Sequence, residues 1–381
     1  MPRRVLIVPD KFKGTLTAPQ AAAAIARGWG EVRPQDRLEL APMSDGGEGF
    51  GEVLGTLLRA ERRECDTVDA AGQPCRAEWW ATPDSGTAIF ETAQVNGLAR
   101  LPPGRHHPFH LDTFGLGAAL RAIERSGFRR LVLGLGGSAT NDGGFGLARA
   151  LGWTFRDAAG TEIQSWTDLD RLEAADPPAR PLALPPTTIA VDVANPLLGP
   201  QGATRVFGPQ KGLQADELNK AEGCLRRLAE TLRARTGGTP EQEPGAGAAG
   251  GLGFGLKVFA GGEFQSGAAI FAELSRLDDR IRRADVVVTG EGALDEQSRM
   301  GKGTGFIASL AARAGKRCLC LAGQVSPSFQ GRDPFPDSVV MGSNGFQAWA
   351  IVPGIATLAA SKTRAADSLR RLAAQVAALE S

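Results

Sequence analysis

Carboxylates and lysines recur in this sequence inside short glycine-rich turns, a pairing of residue types that suits the handling of phosphate groups and small hydroxy acids. The most informative stretch is Gly134-Leu-Gly-Gly-Ser-Ala-Thr-Asn-Asp-Gly-Gly144. Its small residues expose backbone N–H groups that can cradle phosphate oxygens. Gly136 and Gly137 offer bare backbone, and Ser138, Thr140 and Asn141 add side-chain donors. Asp142 stands beside them, where a magnesium-holding carboxylate belongs. Asp45-Gly-Gly-Glu-Gly49 sets two acids among three glycines. That fits a metal or the hydroxyls of a sugar alcohol, and equally an acidic helix cap. In Pro9-Asp-Lys-Phe-Lys-Gly14, Lys11 and Lys13 flank an aromatic residue just before a helix start, suited to holding a carboxylate or a phosphate.

Two further segments carry acids and lysines. Asp192-Val-Ala-Asn195 closes an apolar run, and Val206-Phe-Gly-Pro-Gln-Lys-Gly212 follows it. The density of Gly and Pro predicts a shaped loop, with Asp192 as general base or magnesium ligand, Lys211 on a phosphate or carboxylate, and Asn195 beside the substrate. Gly290-Glu-Gly-Ala-Leu-Asp-Glu-Gln-Ser-Arg-Met-Gly-Lys-Gly303 is not a Walker A loop, since position 296 is Glu and position 303 is Gly. Glu291, Asp295 and Lys302 still form the acid, acid, cation set that phosphoryl transfer uses. Gly134 to Ala139 also matches the dinucleotide fingerprint G-x-G-x-x-A, but Asp157, the acid at the expected offset, falls in a polar turn. His106, His107 and His110 share one Pro-flanked loop and read as solvated. Gly245 to Gly255 is either a second backbone nest or a close-packed turn.

The elements that must position these turns follow from the apolar pattern. The 381 residues include 50 Gly and 24 Pro, with 42% hydrophobic and 22% charged residues, which is a globular composition large enough for two domains. Forty-three basic against 42 acidic residues give a net charge of +1, so no long-range field favours nucleic acid or an anionic membrane. No run approaches the length of a membrane span, and Val5 to Val8 is too short for a signal sequence, so a cytoplasmic protein is expected. The five cysteines lack metal-site spacing and are expected to be reduced. Strands are predicted at Val5–Val8, Leu38–Pro42, Leu131–Leu133, Thr188–Asp192, Val286–Val288, Arg317–Leu321 and Ser338–Met341, several of them running into glycine turns in the manner of a parallel sheet. Helices are predicted at Ala18–Trp29 with Thr17 as cap, at Phe50–Leu58, at 218–232 and at 365–379. From Cys65 the rhythm changes to three alternating segments separated by turns, an antiparallel meander and a domain boundary.

Taken in order, PDKFKGTLTA, SDGGEG, LGGSATNDGG, DVANPLLGPQGA, VFGPQKG, GAGAAGGLGFG and GEGALDEQSRMGKG span nearly the whole chain. Together they resemble the glycerate kinase family of the ATP-dependent, two-domain type without a Walker A loop. The resemblance implies a flavodoxin-like (Rossmann-like) α/β domain built from residues 1–65 and 284–381, with a second α/β domain, residues 66–283, inserted. It implies that D-glycerate and ATP give phosphoglycerate and ADP, with the 2-phosphate favoured over the 3-phosphate. On that reading the backbone around Ser138–Gly144 and Lys302 hold the triphosphate, and Asp142, Glu291 and Asp295 hold Mg²⁺. Lys11, Lys13 or Lys211 meets the glycerate carboxylate, while Asp45 or Asp192 orients its hydroxyls and one of them takes the proton. Lys257 and Ser298 stand where an apolar residue and Thr are expected. An NAD(P)-dependent oxidoreductase using the Gly134–Ala139 turn and a non-catalytic sugar-acid or nucleotide sensor are the other readings. Both monomer and homodimer fit the sequence.

Overall fold

The computed structural model describes residues 1–82, 84, 86–295, 298, 303–326 and 346–380. The chain forms two compact units, one of Met1–Asp45 with Ala268–Ser381, the other of Gly46–Gly267.

In the first unit β1 (Arg4–Pro9), β2 (Arg37–Leu40), and later in the chain β11 (Val286–Leu294), β12 (Arg317–Val325) and β13 (Phe346–Ala350) make a parallel sheet ordered β13-β12-β11-β1-β2. Read from the other edge this is the 2-1-3-4-5 order of the flavodoxin-like folds, as expected. Val5, Ile7, Val286, Val288, Leu319 and Leu321 form one buried face with Ile25 and Trp29 of the helix Ala18–Val32 and Leu369, Leu372 and Val376 of the helix Ala365–Leu379. Those two helices touch at Gly28, where a Cβ would lie 2.0 Å from the Arg370 carbonyl oxygen. Thr17 caps the first of them in a capping box, accepting from the Gln20 N–H while Gln20 Oε1 accepts from its own N–H. The strand expected at Ser338–Met341 lies outside the described residues.

In the second unit β3 (Glu61–Val68), β4 (Pro74–Thr82) and β5 (Thr87–Glu91) form the expected antiparallel meander. Beyond β5 the sheet turns parallel through β6 (Arg130–Gly134), β9 (Thr187–Val191) and β10 (Glu263–Ser266). A small antiparallel pair, β7 (Thr154–Asp157) and β8 (Leu172–Asp176), lies apart from it. The units divide at 45/46 and 267/268, ahead of the breaks expected at 65/66 and 283/284. The first break moves because the helix Phe50–Leu57 packs on this sheet: Gly51 and Gly55 each leave room for the Trp80 ring, which a Cβ would approach to 2.1 Å. The second moves because β10 pairs with β9, whereas the helix Leu277–Arg283 packs against β1.

Residues Val206–Gly212 are a helical segment rather than a loop. The helix Ala203–Lys211 includes Pro209, and Gly212 closes it in the left-handed region at φ 111°. Gly245–Gly255 resolves as a close-packed turn running into the helix Ala248–Ala260, interrupted by left-handed backbone at Ala249, Gly250 and Gly251. Among the described residues no helix is long and apolar enough to cross a membrane.

Two glycines separate steric need from simple permissiveness. At Gly250, with φ +72°, a Cβ would sit 1.9 Å from the Thr140 carbonyl oxygen, whereas at Gly223 in the helix Leu218–Thr236 nothing lies within 4 Å. Gly250→Ala is expected to destabilise by about 3 kcal/mol or more, and Gly223→Ala to stabilise by up to about 1 kcal/mol. Thermal denaturation of the two variants checks this, and equal behaviour would refute the steric reading.

Candidate functional site

Acids gather at the carboxyl edge of the first unit's sheet. β2, β1 and β11 lie side by side; Asp10 directly follows β1, Glu291 lies within β11 just past Gly290, and Asp45 lies in the chain beyond β2. The register pairs Pro9 with Gly290, and the Asp10 N–H donates to the Gly290 carbonyl at 2.8 Å. The Met43 N–H donates to the Pro9 carbonyl at 2.9 Å, which brings the chain beyond β2 alongside β1. Between β1 and β11 the strand order reverses, the place where open α/β sheets bind ligands.

The electrostatics of this edge are strained. Asp10 is only 9% exposed. Burial pushes its carboxyl up to about 7, and Asp45 and Glu291 push the same way against the Lys11 N–H, which donates to Oδ1 at 2.7 Å. Burial likewise raises Glu291 to about 7, with Asp295 and Asp45 adding to it. Ser298 Oγ opposes this by donating to Glu291 Oε1 at 2.6 Å. Thr304 also favours the ionised form, although its buried Oγ1 falls short of hydrogen-bond geometry with any described group. No three His, Cys, Asp or Glu side chains among the described residues are grouped to hold a metal unaided. A hard cation sharing one or two carboxylates with a ligand's phosphates needs no such cage, and an all-oxygen set of mutually repelling acids is the donor chemistry Mg²⁺ takes. Lys11 is half-buried, Lys13 and Asp295 are exposed, and Lys302 lies outside the described residues.

The second unit's sheet presents a comparable edge. Glu91, Gly134 and Ala190 stand in one row across β5, β6 and β9, and the loops after them carry the remaining candidates. After β6, Gly137 turns the chain at φ +64°, and a Cβ on Gly136 would come within 2.6 Å of the Gly47 Cα. Ser138, Thr140 and Asn141 are buried, and their side-chain donors are engaged within the fold, although Asn141 Oδ1 finds no partner among the described residues. Ser138 Oγ and Thr140 Oγ1 lie 2.9 Å apart, Asn96 Nδ2 reaches both, and Asn141 Nδ2 donates to Thr204 at 3.0 Å. This segment therefore offers a ligand its Gly136–Gly137 backbone, not the three side chains expected to donate. Nor does it open a helix directly, since the next one begins at Phe145, so the dinucleotide fingerprint lacks its structural context.

Asp142 also differs from expectation. It is fully buried, its Oδ2 accepting from Thr113 N–H, Thr113 Oγ1 and Gly146 N–H at 2.9, 2.7 and 2.9 Å, and its Oδ1 from Gly144 N–H at 3.2 Å. Four donors leave no oxygen facing a metal, so the residue anchors the turn. Lys211 is similarly turned inward, its Nζ donating to the Thr140 carbonyl at 2.6 Å. Burial lowers it to about 7 against the pull of Asp142. Asp192 is half-buried just past β9. Asn195 ties its own loop, donating to the Gln201 carbonyl at 2.7 Å and accepting from the Gly247 N–H at 2.9 Å.

Sequence reasoning missed Glu91. Its buried carboxylate accepts from the N–H groups of Gly49 and Gly51 at 3.0 and 3.2 Å, fixing the acidic turn at the start of the helix Phe50–Leu57. The signal was available as an acid closing the otherwise apolar strand Thr87–Glu91. The three histidines make no metal group: His107 Nε2 lies 3.1 Å from Glu217.

Residues 5–381 match the glycerate kinase family. A glycerate kinase of Bacillus subtilis is 35% identical over 98% of this chain and 97% of its own length. A glycerate 2-kinase of Escherichia coli is 32% identical with the same coverage of both. A solved structure from Salmonella typhimurium LT2, provisionally described as glycerate kinase 2, superposes with a TM-score of 0.81 at 31% identity, covering 100% of this chain and 98% of that one.

The raised acids make a pH prediction. A carboxyl that holds its proton more tightly folded than unfolded contributes stability below its ordinary value near 4, and that contribution is lost as pH rises towards about 7. In metal-free buffer the protein should melt lower at pH 8 than at pH 5. Asp10→Asn should raise the melting temperature at pH 8 and change it little at pH 4. If the variant melts below the parent at pH 8, the repulsion argument fails.

Proposed function

The chain belongs to the glycerate kinase family, and from that premise we propose that it transfers the γ-phosphoryl group of ATP to a hydroxyl of D-glycerate, giving phosphoglycerate and ADP. The observation that carries the reading is the crowding of acids at the strand-order reversal, where Asp45 and Glu291 raise the proton affinity of buried Asp10, and Asp295 and Asp45 that of Glu291. Such a set accepts a divalent cation readily and suits no hydride chemistry. The likeness to a relative named glycerate 2-kinase supports the 2-phosphate as product. A cytoplasmic setting, where ATP is abundant, accords with this activity.

Asp10, Asp45 and Glu291, with Asp295 at their rim, would hold Mg²⁺, which when bound neutralises charge on the phosphates. The Gly136–Gly137 backbone and Lys302 hold phosphate oxygens. Lys11 and Lys13 meet the glycerate carboxylate, their ammonium groups pairing with it as charge-assisted donors. Asp192, partly exposed at the end of β9, takes the proton from the attacking hydroxyl, and Asn195 keeps its loop in shape. Asp142 and Lys211 act from within the fold.

Purified protein with ATP, Mg²⁺ and D-glycerate should release ADP in a coupled assay, and should not when propionate, which has no hydroxyl to accept the group, replaces glycerate. Phosphorus NMR of the product separates the 2- from the 3-phosphate. Asp192→Asn should lower turnover by about two to four orders of magnitude. Near-normal turnover would remove Asp192 as the base while leaving the overall activity standing.

A further inference from the structure

The first unit has a second charged region at the other end of its strands. Arg4 opens β1 and Arg37 opens β2, and the register makes them direct neighbours. Like charges side by side on adjacent strands destabilise a sheet. Arg283, the last residue of the helix Leu277–Arg283, completes a trio around a cavity of about 250 Å³, which Leu6, Leu38 and Glu39 also line.

The acids nearby are committed elsewhere. Glu39 lies 3.4 Å from Arg280 Nε, Asp285 accepts from the Arg4 backbone N–H at 2.8 Å, and Asp279 pairs with Arg282 and Arg276 at 2.8 and 3.4 Å. Among the described residues, no ion pair or hydrogen bond engages the guanidinium groups of Arg4, Arg37 or Arg283. The remaining lining is apolar apart from Glu39: Val5 and Leu6 are 1% exposed, so the floor is apolar, and three arginines against one acid leave the rim cationic. Asp279 feels the charge of Arg283 and Glu39 shares the lining, yet neither pairs directly with the trio, and a concave site with an apolar floor and a surplus of arginines matches one ligand chemistry, a compact anion with several charges. The cavity's lining reaches Leu6, four residues before Asp10, and Arg4 stands roughly 20 Å from Asp10 along β1.

We propose that the Arg4–Arg37–Arg283 cavity binds a small, multiply charged anion, either phosphate-bearing or a polycarboxylate, at a site separate from the acidic edge. The anion supplies the counter-charge that the fold withholds.

Calorimetric titration of the full chain with inorganic phosphate, and separately with citrate, tests this in low-salt buffer. At least one should bind saturably, and Arg37→Gln and Arg283→Gln should each weaken that binding at least tenfold. The arm that binds identifies which anion chemistry is recognised. In anion-free buffer Arg37→Gln should also raise the melting temperature by relieving the cross-strand repulsion, and should abolish the further rise that the anion gives the parent. If neither anion binds, or if both variants bind as the parent does, the proposal is overturned.

Discussion

In the second unit, main chain lies directly on main chain with no side chain between. A Cβ at Gly250 would meet the Thr140 carbonyl oxygen at 1.9 Å, one at Gly255 the Gly144 Cα at 2.6 Å, and one at Gly144 the Gly255 Cα at 2.7 Å. Backbone atoms have no rotamer to turn away, so the contact admits glycine alone. Its consequences spread outward. With the two segments this close, buried N–H and C=O groups need partners from within. Asp142 answers four donors and Lys211 answers the Thr140 carbonyl. A buried ammonium would be a poor choice in an open fold. Here the alternative is an orphaned carbonyl in a site with no room for water.

The two units differ in how many donors they give a buried carboxylate. Burial raises Asp142 too, but a ring of four donors works against that rise, so its role is rigidity. Asp10 and Glu291 have fewer donors; burial raises both to about 7, and Asp45 pushes both the same way. A carboxylate left in that condition lowers stability unless something else neutralises it, which is the condition expected where a cation-bearing ligand completes the structure. Satisfaction by the protein is the measure that separates an anchor from a ligand-binding acid, and sequence cannot report it.

That distinction explains which parts of the molecule were legible. The strands Arg4–Pro9, Arg130–Gly134, Thr187–Val191 and Val286–Leu294 announce themselves as apolar runs ending in glycine turns, and the capping box at Thr17 marks its helix. Asp10 stands beside Lys11 and Lys13, which carry the local signal, and nothing local says that Asp45 and Glu291 will arrive beside it. Glu291 comes through parallel pairing across 281 positions, as with Val5 and Val286, and Asp45 through the pairing of β2 with β1. Asp142, Ser138 and Asn141 have ligand-binding residue types, and their inward orientation appears only once Thr113, Asn96 and Thr204 are in place. Lys211 was assigned to a loop because Pro209 and Gly212 look like breakers, whereas packing of the helix Ala203–Lys211 overrides local propensity.

The amino edge of the first unit's sheet shows how fully this fold can neutralise arginine when the role is structural. Glu380, with a side chain 2% exposed, takes both Arg317 Nη atoms at 2.8 Å and Arg3 Nη1 at 2.9 Å, while its backbone carbonyl accepts from Arg33. One buried acid so ties the last helix to β1 and β12, a bidentate arrangement whose geometry offsets its desolvation. Arg4 and Arg37 lie on the same edge, next in sequence or space to these residues, and receive no such acid. Since the chain places a carboxylate accurately within one residue of Arg4, crowding or a lack of acidic side chains does not explain the difference. The one acid lining the cavity beside them, Glu39, turns to Arg280 instead.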